Sequence, residues 1–282
     1  MNPGVAVVTD STSYLPASLL RGSGVRIVPV QVVMGGQAED ETSEESSVRR
    51  VAEALRAWQP VTTSRPSPER FRECFESAVR DGATGIVCAT LSRRMSGTYD
   101  SAMLAAKETD VDVRVVDSRT VAMALGFAVL AGDAGAREGA SLDDVQQIIE
   151  RRAWNSTSLF YVDTLEYLRR GGRIGSTRAA VGQALKVKPI LRILDGEVVP
   201  LDRVRTTGKA IGRLTDLALG SAESRPVEFA VQHLDAEGRA EELAATLRRR
   251  RPDCPVVVCP LGAAVGAHTG PGIVSVAVSP VG

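Results

Sequence analysis

Along the first half of the chain, short unbroken apolar runs alternate with amphipathic stretches. Gly4 to Val8 is one such run, closed by Thr9-Asp10-Ser11-Thr12; it predicts a strand buried on both faces that leads into a helix-capping loop. Val25 to Met34 is rich in β-branched residues and stops at the turn Gly35-Gly36, after which Ser43-Glu44-Glu45-Ser46 opens an amphipathic helix through Val51, Leu55 and Trp58. Beyond a polar loop, Glu69 to Val79 predicts a helix and Gly85 to Ala89 a buried strand. Ser96-Gly97 then leads into a helix to about Glu108, Val111 to Val116 predicts a strand, and Asp117-Ser118 is placed to cap a helix over Thr120 to Arg137. This rhythm predicts a mainly parallel sheet with helices on both faces. In such sheets ligands bind beyond the carboxyl ends of the strands, where the loops Asp10 to Ser13, Leu91 to Thr98 and Asp117 to Thr120 fall.

A further helix runs from Ser141 to about Ala153, and the pattern then changes. Thr157 to Val162 predicts a strand, and Thr164 to Arg170 a short helix stopped by Gly171-Gly172. Pro189 to Leu194 and Glu197 to Val204 flank Asp195-Gly196, a strong two-residue hairpin signal. Helices follow over Thr207 to Leu219 and Ala236 to Arg250, with strands over Val227 to Gln232, Val256 to Cys259 and Ile273 to Val278. The expected organisation is therefore two domains: residues 1–153, an α/β domain with a parallel sheet, and residues 154–282, an α+β layer with helices on one face of its sheet.

Charge and composition narrow the partners. Lys+Arg and Asp+Glu both number 34, so no global field draws in nucleic acid or an anionic membrane. The longest mostly apolar stretch, Val121 to Gly132, is far short of the roughly 20 residues of a membrane span, and Met1 to Gly4 has no basic leader character. Cys74, Cys88, Cys254 and Cys259 form no C-x-x-C pair. Reduced thiols and a cytoplasmic protein without stable membrane insertion are expected.

Several catalytic signatures fail. Gly208-Lys209 is followed by Ala210 and lacks the leading glycine of a phosphate loop; Gly270 and Gly272 begin a dinucleotide spacing that Ser275 breaks. Ser96 has Arg94 and Thr98 where a hydrolase elbow needs glycines. His233-Leu234-Asp235 lacks a third ligand at a supporting spacing, so no metal is expected, and Asp10 and Asp117 read as structural caps.

What stands out instead is three polar segments. Val61 to Pro68 packs hydroxyls before Pro66, which keeps Arg65 extended. Leu91 to Tyr99 crosses from a strand end to a helix start, where free N–H groups favour negative charge. Gly266 to Gly272 sets His268 and Thr269 in a glycine-rich segment that reads as a turn, with Pro271 removing a donor. Each is explicable by ordinary capping; together they point to a shared anion site.

Asp10-Ser11-Thr12-Ser13, Thr63-Ser64-x-Pro66-Ser67, Leu91-Ser92 with Ser96-Gly97-Thr98-Tyr99, Leu168 to Gly175, Leu185 to Leu191, Arg205-Thr206 and His268 to Gly272 resemble, in this order, the motifs of the DegV family. These are bacterial fatty-acid-binding proteins that include the acyl-binding subunits of fatty acid kinase. The resemblance implies a two-domain α/β fold with a long-chain fatty acid between the domains. By motif, Thr62, Thr63, Ser96 and His268 would hold the carboxylate, supported by Ser64, Gly97, Thr98 and Thr269. Arg173 and Arg205 would face the ATP-binding kinase subunit or its nucleotide, and Arg65 stands where the family often has an uncharged residue. The chain would then bring no catalytic residue and no cofactor beyond the bound fatty acid. An acyl tail of about 15 methylenes at roughly 0.8 kcal/mol each offers on the order of 12 kcal/mol of transfer energy before the costs of binding, so the tail supplies affinity and the head site orientation. Two alternatives stay open: an enzyme acting alone on a small anion with Ser96 or His268, and a lipid-sensing regulatory module without a kinase partner.

Overall fold

Val5–Asp10 (β1) lies in the middle of a parallel sheet because both of its faces are apolar. Arg26–Val28 (β2) flanks it on one side, and Gly85–Thr90 (β6) and Asp112–Asp117 (β7) follow on the other, giving the order β2-β1-β6-β7. Val8, Ile86 and Cys88 point to one face, against Phe71, Phe75 and Ala78 of Pro68–Arg80 (α3) and Ala102 and Ala105 of Thr98–Ala106 (α4). Val7, Val87, Ala89 and Val116 point to the other, against Met123–Arg137 (α5) and Leu142–Asn155 (α6). The computed structural model describes residues 4–42, 45–174, 187–223 and 225–281. Ser43 and Glu44 of the expected helix start, and Gly175, Leu185 and Lys186 of the family-like motifs, lie outside the described residues.

From Thr157 onward the strands belong to a second, mixed sheet. Its order is β10-β9-β8-β13-β11-β12, made of Thr157–Tyr161 (β8), Lys188–Leu194 (β9), Glu197–Val204 (β10), Val227–His233 (β11), Val256–Pro260 (β12) and Val274–Pro280 (β13). Asp195 and Gly196 both take positive φ, 50° and 82°, so the β9–β10 connection is the two-residue hairpin expected from the sequence. Alternation sorts the strands by face. Leu159, Tyr161, Phe229, Val274 and Val276 pack under Thr207–Ala222 (α8) and Glu237–Arg250 (α9), while Phe160, Leu191, Ala230 and Ala277 join the cluster that contains Val7, Val87 and Phe127. That cluster therefore runs through both sheets. The α/β architecture agrees with the sequence expectation.

Four elements depart from it. The β-rich stretch 25–34 is interrupted at Pro29, which lacks a ladder donor; β2 joins the parallel sheet, and Gln31–Met34 (β3) becomes the centre of a separate antiparallel sheet. Gln37–Asp40 (β4) carries no apolar alternation because all four residues are exposed. Val61–Ser64 (β5), read as a loop, is a strand paired with β3, as its β-branched residues allow. The His268 segment, read as a turn, is the last part of a helix, Ala263–Thr269 (α10). Glu45–Arg56 (α2) and Glu166–Arg170 (α7) complete the surroundings of the site. Among the described residues no helix is long and apolar enough to cross a membrane.

Candidate functional site

Small residues and remote capping explain α10. Ala263, Ala264, Gly266 and Ala267 are all buried, and a side-chain carbon at Gly266 would lie 2.6 Å from Leu234 Cδ2. No residue of its own caps the helix. Glu41, just past β4, instead accepts from the Ala264 N–H at 2.7 Å, and the Tyr14 hydroxyl accepts from the Val265 N–H at 2.9 Å. Glu41 also accepts from the Ser11 hydroxyl at 2.6 Å and the Tyr14 hydroxyl at 3.0 Å, so both carboxylate oxygens are occupied although the side chain is buried. Burial raises the Glu41 pKa, against the lowering effect of these hydrogen bonds. This network ties the start of α10 to the loop after β1 and to the small sheet that carries β5.

At the other end of α10, His268 Nε2 lies 3.0 Å from Thr63 Oγ1 on β5. Burial, reinforced by the charge of Arg173, lowers the imidazole pKa to about 4, so the ring is neutral at physiological pH. Its Nδ1 has no partner among the described residues and is pressed against Gly171, where a side-chain carbon would sit 2.3 Å away. Gly171 thus has to be glycine for the ring to occupy this position. The ring is fixed with Nε2 toward Thr63.

Thr63 and His268 line a cavity between the two large sheets. Its walls are largely apolar, with Leu91, Phe160, Leu168, Ile193, Val198 and Ile273 among them. Its outer end is polar: Ser64 and Arg65 are exposed there, with Ser96, Arg173 and His268 partly so. The structure brings Thr63, Ser64, Ser96, His268 and Thr269 to this one cavity. Ser96 Oγ is bonded to Thr98 Oγ1 at 2.9 Å and accepts from the Thr98 N–H at 3.3 Å; the imidazole is bonded to Thr63. Thr98 thus holds the Ser96 hydroxyl, whereas Thr269 Oγ1 donates back to the Val265 carbonyl at 2.9 Å within α10.

Thr62 is placed differently. Strand alternation turns it to the opposite face from Thr63, where it is exposed, and it does not line the cavity. Arg173 does line the cavity; its guanidinium donates to the Met95 carbonyl at 3.2 Å and to the Gly171 carbonyl. Arg205 is exposed outside the cavity, just before Thr206, whose side chain caps α8. Arg65, left without a role by the sequence, lies across Gly97: a side-chain carbon there would be 2.2 Å from Arg65 Nη1. The signal that could have placed it is Pro66, which keeps Arg65 extended at the end of β5. Asp10 is structural, accepting from the Thr12 and Leu91 N–H groups at 2.9 and 2.8 Å. No group of three or more metal-ligating side chains occurs among the described residues.

The α/β fold thus holds a largely apolar cavity with an uncharged ring, hydroxyls and two arginines at its mouth. The chain belongs to the DegV family, whose model matches residues 4–281. It is 49% identical over 280 residues to a DegV domain-containing protein of Streptomyces coelicolor, covering 99% of each chain. Among solved structures it is similar to a fatty-acid-binding DegV family protein of Thermus thermophilus, with 32% identity, TM-score 0.90 and coverage of 99% and 100%. It is likewise similar to DegV of Bacillus subtilis, a fatty acid binding protein, with 30% identity, TM-score 0.89 and 99% of each chain covered.

Proposed function

We propose that the chain binds one long-chain fatty acid in this cavity, carboxylate at the Thr63–Ser96–His268 end, and presents that carboxylate to a separate ATP-binding fatty acid kinase subunit for conversion to an acyl phosphate. The observation that carries the reading is the pairing of a neutral, half-buried imidazole with a hydroxyl at the mouth of an apolar cavity. With Nε2 protonated, His268 donates to Thr63 Oγ1, which leaves the Thr63 and Ser96 hydroxyls as uncharged donors that orient a carboxylate without the tight ion pair that would quench its nucleophilicity. Arg65 and Arg173 at the rim keep the carboxylate ionised and face an incoming polyanion; Arg205 extends the cationic surface toward the kinase. The chain acts in the cytoplasm and supplies no catalytic group of its own.

The test has two stages. Protein purified from a bacterial host and extracted with organic solvent yields a long-chain fatty acid at near-equimolar amount by mass spectrometry. Addition of a fatty acid kinase subunit and ATP converts the bound acid to acyl phosphate, trapped as the hydroxamate. Protein that is lipid-free and refuses added palmitate or oleate overturns the binding reading; bound acid that no kinase subunit phosphorylates overturns the presentation step alone.

A further inference from the structure

An acyl cavity is expected to be apolar along its inner wall, and this one carries several polar side chains there. Ser275 stands on β13, the strand between β8 and β11 in the middle of the mixed sheet. Its sequence neighbours Val274 and Val276 face α8 and α9, so Ser275 faces the other way, into the cavity that it lines. It is partly exposed although it lies in the interior of the sheet. Directly across the strand pair is Gln232, 1% exposed, which lines the same cavity.

The hydrogen bonds of this pair are incomplete. Gln232 Oε1 accepts from the Met123 N–H at 2.9 Å, which fixes the amide and aims its nitrogen. That nitrogen has two protons and one weak partner among the described residues, Cys259 Sγ at 3.5 Å. Ser275 Oγ has only a marginal 3.5 Å contact with the Gln232 carbonyl. The other inner hydroxyls are better satisfied: Ser158 is bonded to Thr120 at 3.0 Å, and Thr12 donates to Asp10. A plain methylene laid over Gln232 and Ser275 would leave a buried amide proton without an acceptor.

We propose that Gln232 and Ser275 form a polar subsite in the tail portion of the cavity, and that the chain takes acyl ligands bearing an oxygen substituent within the chain, a hydroxyl or a keto group. The oxygen accepts from the free Gln232 N–H, and a hydroxyl donates in turn to Ser275 Oγ. This rests on the acyl-binding reading above and adds the chemical class of the acid. The exposed Arg65 and the partly exposed His268 mark the head end, so the subsite lies inward of the carboxylate.

The experiment compares lipid-stripped protein binding stearate, a set of hydroxystearates substituted at successive positions, and 10-ketostearate, for wild type and Ser275→Ala. In the wild type at least one oxygenated isomer binds as tightly as stearate or tighter, and in Ser275→Ala the affinity ratio of the best hydroxystearate to stearate falls about fivefold to tenfold. Tight stearate binding with every oxygenated isomer at least tenfold weaker overturns the subsite alone; it is also the result expected if a buried water completes the pair. A ratio unchanged by Ser275→Ala overturns it as well. Failure of stearate and all its derivatives to bind overturns the acyl-binding reading itself.

Discussion

The two faces of the mixed sheet are built from the same strands and do different work. Toward α8 and α9, Leu159, Tyr161, Ile190, Phe229, Val231 and Val276 form a continuous apolar layer. Toward the cavity the alternate positions mix Phe160 and Leu191 with Ser158, Ala230, Gln232, Ser275 and Ala277, smaller or more polar residues of a kind the first layer does not contain. The first face holds the fold and the second gives up packing to keep space open for a ligand. The same residues that weaken the second face as a core make it a site.

Truncation tests this contrast most forcefully. Phe229→Ala removes a fully buried ring under α8 and α9 and is expected to cost about 3–5 kcal/mol in urea unfolding. Phe160→Ala, on the cavity wall, enlarges a space already present and is expected to cost less than half as much in lipid-free protein. Equal losses would break the comparison.

The capping network of α10 comes next in size. Glu41→Ala leaves the Ala264 N–H and the Ser11 and Tyr14 hydroxyls without their acceptor, a loss of about 1–3 kcal/mol in stability. Because α10 carries His268, fatty acid affinity falls as well, and Tyr14→Phe produces the same two effects more weakly. Stability lost without any change in ligand affinity would separate the helix cap from the site.

The imidazole gives a pH signature. In the unfolded chain histidine titrates near 6.5 and in the folded protein at about 4, so on acidification the unfolded state takes up the proton first. Stability therefore falls between pH 6.5 and about 4, by roughly 3 kcal/mol on this account. Burial raises the pKa values of Asp10 and Glu41, which acts in the opposite direction, but equally in wild type and in His268→Gln. The stability difference between the two proteins is expected to shift by that amount in favour of the variant as the pH is lowered through this window, measured by urea unfolding at stepped pH.

The smallest expected effect separates neighbours on β5. Thr63→Val lowers fatty acid affinity about fivefold through one lost hydrogen bond, whereas Thr62→Val changes affinity and stability by no more than about 0.5 kcal/mol. Isothermal titration of both variants with the same acid distinguishes them.

Periodicity carried most of the architecture. Doubly apolar runs such as Gly85 to Ala89 marked the parallel sheet, and Asp195-Gly196 marked the hairpin, because each obeys a local rule. Where tertiary partners decide, the sequence reading stopped short. Nothing near Ala263 shows that α10 is capped by Glu41 and Tyr14, more than two hundred residues earlier. Without that cap, Gly266 to Gly272 reads as a turn. The hydroxyls of residues 62–64 were visible as a group, but only the pairing of β5 with β3 shows that Thr63 alone reaches His268. Ser275 and Gln232 passed as ordinary strand residues, since their meaning depends on which face of the sheet is left uncovered.

Carbon-13 NMR of protein loaded with palmitate labelled at its carboxyl carbon tests the placement of the head group most directly. The account predicts a single bound resonance, distinct from the free acid, that moves in both Thr63→Val and His268→Gln. A carboxyl resonance that is solvent-like, or indifferent to both substitutions while the lipid stays bound, would contradict it.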